Sequence, residues 1–154
     1  MFYLIIGAGV FLTDFLLKSH IEKKYEQKAR HPRLGGKIIL EKYYNRGAAL
    51  NLLSKRPNFL KVLHTAVLFA IGVCYYFVLR RSGHIPAKLG GSLLLGGGFS
   101  NLYDRYTRGY VVDYFRINIG SKWLKRIIFN ISDFCIFIGA LLCVCGSDAI
   151  GKEG

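Results

Sequence analysis

Four apolar stretches separated by polar, mostly basic segments set the pattern of this 154-residue chain. Residues 1–17 are apolar apart from Asp14, and residues 59–79 are interrupted only by Lys61 and His64 near their start. Residues 89–105 carry Gly90, Gly91, Gly96, Gly97 and Gly98, and residues 126–145 form the last apolar run. At 1.5 Å of rise per residue these lengths suit helices that cross a hydrocarbon core, the first at the short end. The pattern predicts a membrane all-α protein: one integral domain over 1–154, built as a four-transmembrane-helix bundle. The loops 18–58 and 106–125 are expected to form a small extramembrane β-rich platform. Within them, residues 37–44 are rich in β-branched and aromatic types and predict a strand, and residues 110–117 are expected to be extended. Residues 20–33 carry a charge at nearly every second position with no apolar face to bury, and Pro32 and Gly35-Gly36 break any helix there.

Composition sharpens this picture through its distribution. Charged residues reach 20% beside 52% hydrophobic ones, and they fall in blocks between the apolar runs, which favours a polytopic membrane protein over a mixed soluble domain. The net charge of +13 comes without any nucleic-acid-binding motif, so no nucleic-acid partner is expected and the cations are read as facing anionic membrane lipids. Cys74, Cys135, Cys143 and Cys145 all lie in apolar runs without metal-ligand spacing and are read as packing residues; no metal or cofactor is expected. The N-terminal run lacks a basic leading segment, and Asp14 and Lys18 stand where a small-residue cleavage site would fall, so it is read as a retained span.

Carboxylates and amides beside membrane-length apolar runs are costly and mark function. Asp14 and Lys18 are four apart and share a helix face, where they can pair, with an interfacial aspartate and a snorkelling lysine as the equal alternative. Asn101 and Asp104 share a spacing of three with Asn130 and Asp133, each pair expected to project from one helix face. Both pairs fall at the end of the bundle next to the loop that carries Asp113, and the other loop on that side brings Asn45 and Gly47. His64 is read as interfacial, and Trp123 as an interfacial aromatic. Two carboxylates held close share a proton, so Asp113 and Asp133 are candidates for an acid–base pair, with Arg105 and the asparagines placed to hold them or polarise a carbonyl.

Five blocks in order carry a resemblance that covers essentially the whole chain. They are Asp14 before Lys18; Asn45-Arg46-Gly47-Ala48-Ala49; Asn101-Leu102-Tyr103-Asp104-Arg105; Val111-Val112-Asp113; and Phe129-Asn130-Ile131-Ser132-Asp133. Together on four apolar spans they resemble the signal peptidase II, or lipoprotein signal peptidase, family. The resemblance implies an aspartic endopeptidase that removes the signal peptide from diacylglyceryl-modified prolipoproteins, cutting just before the lipid-modified cysteine. It implies Asp113 and Asp133 as the catalytic dyad, with Asn45, Gly47, Asn101, Arg105 and Asn130 binding substrate or orienting the carboxylates. Asp14, Lys18 and Asp104 take supporting roles, and globomycin-type cyclic peptides are the implied inhibitors. Three departures stand out: Leu50 where the family usually has phenylalanine, Ser100 where a glycine precedes the asparagine, and Ser132 where alanine precedes the aspartate.

The family resemblance and the charge pattern disagree on orientation. Four of the 22 cations, Arg80, Arg81, Lys88 and Lys152, fall on the side of the termini, and the positive-inside tendency would put the two large loops in the cytoplasm. The resemblance implies a bacterial cytoplasmic membrane with the site facing outward. The rival class is a small transporter whose carboxylates bind protons or cations; the missing internal repeat and the gathering of polar groups at one end weigh against it.

Overall fold

The structure, a computed structural model, describes residues 1–27, 29–48 and 52–147. Its elements follow the order α1 (Phe2–Lys24), β1 (Arg30–Arg33), β2 (Ile38–Asn45), α2 (Pro57–Arg80), α3 (Ile85–Thr107), β3 (Val111–Ile117), a 3-10 turn (Leu124–Arg126), β4 (Ile128–Phe129) and α4 (Ile131–Ser147). Two of the helices, α1 and α2, are long and apolar enough to cross a membrane, and α4 adds a shorter apolar helix over residues 131–146.

The bundle has a polar interior and an apolar exterior. Asp14, Lys18, Ser92, Ser100, Asn101, Asp104, Asn130 and Ser132 are buried, whereas Leu12, Leu16, Val62, Phe69, Phe77 and Phe137 are exposed. In water such a belt would be a large unpartnered apolar surface; against lipid it is the favourable arrangement, and it gives the chain its membrane character.

Without a hydrophobic drive between helices in lipid, close backbone packing carries the association. Helix α3 is the central element and touches the other three. A Cβ added at Gly90 would lie 2.6 Å from the Gly139 carbonyl oxygen, and one added at Gly139 would lie 2.6 Å from that of Gly90. Gly96 meets the Gly7 backbone of α1 in the same way, so the glycines of α3 set how close its neighbours come.

The platform is a four-stranded antiparallel sheet in the order β1-β2-β3-β4. The strands expected near 37–44 and 110–117 are β2 and β3, joined with Tyr43 opposite Asp113 and Asn45 opposite Val111, and a register irregularity lies between Leu40 and Tyr43. Residues 20–33 hold more order than their charge pattern predicts. Helix α1 runs on to Lys24 because Ile21 is buried against Val112 and Tyr114 of β3. Strand β1 forms at the sheet edge, where Pro32 removes no inner ladder bond and the charges protect the edge. Gly35 and Gly36, both at positive φ, close the β1–β2 turn.

Helices α3 and α4 also shift from their expected limits. α3 starts at Ile85, with Pro86 in its first turn, so Lys88 lies inside the helix. α4 starts at Ile131, five residues later than the apolar run, because residues 128–129 are spent on β4. All four cysteines are free; Cys74 and Cys145 are exposed on the outside of the bundle, contrary to the packing role expected of them, and Cys135 and Cys143 are half-buried. Ala49, Leu50, Lys28 and the end of the chain from residue 148 lie outside the described residues.

Candidate active site

Where the sheet meets the bundle, a cavity of about 770 Å³ opens, lined among others by Asn45, Ala48, Asn101, Arg105, Asp113, Asp133 and Ile136. Asp113 is brought there by β3, whose residues 111–114 are all buried, and Asp133 by the first turn of α4. Asn130 is the residue before α4 and caps it, whereas its spacing from Asp133 predicts a shared helix face. Its Oδ1 accepts the Asp133 N–H at 2.9 Å, and the Asp133 Oδ2 accepts the Asn130 N–H at 3.0 Å. This reciprocal capping box satisfies two donors at the helix start and fixes the Asp133 side chain. With its Oδ1 committed, Asn130 turns Nδ2 toward Asp113 Oδ1 at 2.7 Å, so one residue grips both carboxyl groups.

The other two asparagines follow the same logic. Asn45 Oδ1 accepts the Gly47 N–H at 3.0 Å, which leaves Nδ2 to donate to Asp113 Oδ2 at 3.0 Å. Asn101 Oδ1 accepts from Lys18 Nζ at 2.8 Å, and its Nδ2 donates to Asp133 Oδ1 at 3.1 Å. Each amide has one end fixed by a donor and presents its N–H to a carboxylate.

Lys18 does not snorkel. Its side chain and that of Asp14 are 0% exposed and pair at 2.7 Å, with Asp104 at 3.2 Å completing the cluster. Asp14 Oδ2 also accepts from Ser100 and Ser132, both at 2.6 Å, and Oδ1 from Tyr114 at 3.0 Å. Tyr114 in turn accepts the Ile131 N–H, tying β3 to the start of α4. Asp104 binds Arg108 at 2.6 Å and the Val112 N–H at 3.1 Å, and Arg108 reaches Glu22 at 3.1 Å. Ser100, Ser132, Tyr114, Arg108 and Glu22 are the members that sequence reasoning missed. The capping role of Asn130 was readable, since an Asn-x-x-Asp before an apolar run is a helix-start signal.

Arg105 does not hold Asp113 or Asp133 by a direct bond. Its guanidinium donates to the Gly47 carbonyl at 2.8 Å and the Asn101 carbonyl at 3.2 Å, and its buried Nε has no partner among the described residues. Half-buried His64 turns Nδ1 toward Arg105 at 3.4 Å. Gly47 therefore enters the site through its backbone, as donor to Asn45 and acceptor from Arg105.

Asp113 is 2% exposed, whereas Asp133 opens partly to the cavity. Burial first, and the charge of Asp133 second, push the Asp113 carboxyl up to about 8, against the hydrogen bonds from Asn45 and Asn130 and the charge of Lys18.

With fold and site in view, the chain is similar to solved bacterial membrane enzymes. It superposes on two such solved structures, determined by the in meso method at 2.3 Å and 1.9 Å resolution, with TM-scores of 0.84 and 0.80 at 26% identity. These alignments cover 98% and 99% of this chain and 91% and 94% of the others. The model of the signal peptidase (SPase) II family matches residues 6–147, and the chain belongs to that family. Relatives named lipoprotein signal peptidase include those of Caldicellulosiruptor bescii (32% identical, covering 92% of this chain and 87% of the relative) and Halothermothrix orenii (33%, 94% and 92%). That of Burkholderia multivorans is 34% identical over 90% of this chain and 82% of its own length.

Two outcomes follow from this geometry. Replacing Lys18 with Met leaves Asp14 and Asp104 facing each other without the shared cation, a change of the kind that costs about 3–5 kcal/mol. Thermal unfolding in detergent is expected to show a large drop in Tm, and an unchanged Tm would remove Lys18 from the centre of the site. The second concerns pH. With a folded value near 8 and an ordinary unfolded one, the folded state holds a proton that the unfolded state releases, so stability falls as pH rises from about 4 to about 8. Asp113→Asn is expected to flatten that slope in Tm measured from pH 4 to 9; equal slopes for both proteins would show that Asp113 is not the titrating group.

Proposed function

We propose that the chain is a membrane aspartic endopeptidase that removes the signal peptide from diacylglyceryl-modified prolipoproteins, cutting just before the lipid-modified cysteine. The observation that carries this reading is the grip of Asn130 on both Asp113 and Asp133 at one cavity. The names of the relatives support the substrate class.

Asp113, the more buried carboxyl, holds the shared proton, and Asp133 is the ionised member. Asp133 takes a proton from water as the water oxygen attacks the scissile carbonyl carbon, while Asp113 gives its proton to the carbonyl oxygen. The resulting gem-diol collapses as one hydroxyl proton returns to Asp113 and the proton on Asp133 passes to the leaving amine, which regenerates the pair. Asn45, Asn101 and Asn130 hold the carboxyl groups so that this exchange needs little reorganisation. Arg105 and the Gly47 backbone present the substrate, and Asp14, Lys18 and Asp104 support the frame. Globomycin-type peptides would occupy the same cavity.

In this reading the whole chain is one domain with four spans in a bacterial cytoplasmic membrane. The termini face the cytoplasm and the sheet faces the outer side, in contact with membrane lipids. A reporter fused after Gly154 is expected to read cytoplasmic; an exported C-terminus would overturn this orientation and favour the charge count.

The chemistry is tested with a purified diacylglyceryl prolipoprotein. The wild-type protein is expected to cleave it, and Asp113→Asn and Asp133→Asn each to lower kcat by about a thousandfold or more while the folded protein is retained, since either change removes half of the acid–base pair. An intact precursor with wild type, or wild-type rates with either variant, would defeat the proposal.

A further inference from the structure

The cavity is lined from both the bundle and the sheet, and these two ends of its lining differ in charge. At the helix end lie the dyad, Asn101, Arg105 and Ile136; at the sheet end its lining includes Arg30, Lys42, Arg116 and Arg126 with a single carboxylate, Glu41. That carboxylate is already shared, Arg30 reaching it at 3.3 Å and Arg116 closing on its other oxygen. Lys42 donates to the Glu22 carbonyl, which satisfies a hydrogen bond without cancelling its charge. Arg126 is exposed at the end of the 3-10 turn. Four cations against one carboxylate leave this wall strongly positive, in a partly enclosed cavity that strengthens the field.

The direction of a bound chain follows from the surroundings of the two ends. A signal peptide is apolar, and the helix end of the cavity lining includes apolar Ile136. The polypeptide on the other side of the cut bond must leave the membrane, and beyond Asp113 the cavity lining is carried by polar residues of β2 and β3. Resting on the peptidase reading of Asp113 and Asp133, we propose that the Arg30–Lys42–Arg116–Arg126 wall is a specificity subsite for acidic side chains just downstream of the cleaved bond. Prolipoproteins with Asp or Glu in the first few mature residues are the preferred substrates. The occupant is a peptide and not a lipid headgroup because the wall is continuous with the dyad cavity, where the substrate chain itself must lie.

The test uses the full-length protein in neutral detergent with three otherwise identical diacylglyceryl precursors, carrying two acidic, two neutral or two basic residues shortly after the cysteine. The acidic precursor is expected to exceed the basic one by about tenfold in kcat/KM, mostly through KM, as two weak exposed charge contacts allow. Raising salt from 0.1 M to 1 M shortens the screening length from about 10 Å to about 3 Å and is expected to shrink the ratio. A Lys42→Glu, Arg126→Glu double variant, in which the Glu41 pairs stay intact, is expected to reverse the preference. Equal kcat/KM for the three precursors overturns the subsite while leaving the peptidase standing. Cleavage of none of them overturns the peptidase and the subsite together. A rate that ignores precursor charge but rises with added anionic phospholipid assigns the wall to headgroups and also overturns the proposal.

Discussion

The ammonium of Lys18 is the point on which the site is assembled. It is fully buried and meets Asp14, Asp104, Ser100 and Asn101, groups drawn from α1 and α3. Taking one cation and two carboxylates out of water is expensive, and the cluster persists because nearly every lone pair and proton has a partner. The same partners make it directional. Asp14 extends the cluster to Ser132 on α4 and Tyr114 on β3, and Asp104 extends it to Arg108 and the Val112 backbone. Helices that pack through glycine backbones have close contact but little to fix their axial register; a buried charged cluster with members on three helices and the sheet supplies that register. Whether this raises net stability over an apolar replacement is a separate matter, since buried ion pairs more often give specificity than free energy.

From that anchor the orientation of Asp113 and Asp133 follows step by step. Lys18 fixes which end of the Asn101 amide is the acceptor, and the other end then has to donate to Asp133. The α4 capping box fixes Asn130, whose free N–H donates to Asp113. The turn at Gly47 fixes Asn45 in the same sense. Three neutral amides therefore hold two carboxyl groups without placing a full positive charge in direct contact with either. A direct Arg or Lys bond would favour both ionised forms and work against a shared proton. Arg105 shows the alternative being avoided: it lines the cavity, yet its hydrogen bonds go to backbone carbonyls.

Much of the site was legible in the sequence because its residues are out of place there. Asn101, Asp104, Asn130 and Asp133 stand out in apolar runs, and the order of five short blocks gave the family. The two inner strands were legible from their β-branched and aromatic content. What stayed hidden depended on partners distant in sequence. Nothing local shows that Lys18 lies between Ser100, Asn101 and Asp104 rather than at an interface. Strand β1 is legible only as the edge partner of β2, since its own residues are charged and include Pro32. The start of α4 was hidden because hydrophobicity does not separate a short strand from the first turn of an apolar helix; the cap at Asn130 does.

Ser100 and Ser132 make one further point about charge. Ser100 comes from α3 and Ser132 from α4, and both hydroxyls donate to the same oxygen of Asp14. With Lys18 on that oxygen and Tyr114 on the other, Asp14 has four donors and is saturated. A carboxylate only one turn of α1 from Lys18, left with fewer donors, would draw more of the ammonium toward itself. Saturating it with neutral hydroxyls leaves Lys18 free to divide its remaining donors between Asn101 and Asp104. The two serine hydroxyls thus hold the negative charge of Asp14 at its own donors, and Lys18 stays where it sets the amide that faces Asp133. Both serines are small, so they add this polar contact within the close approach of α3 and α4.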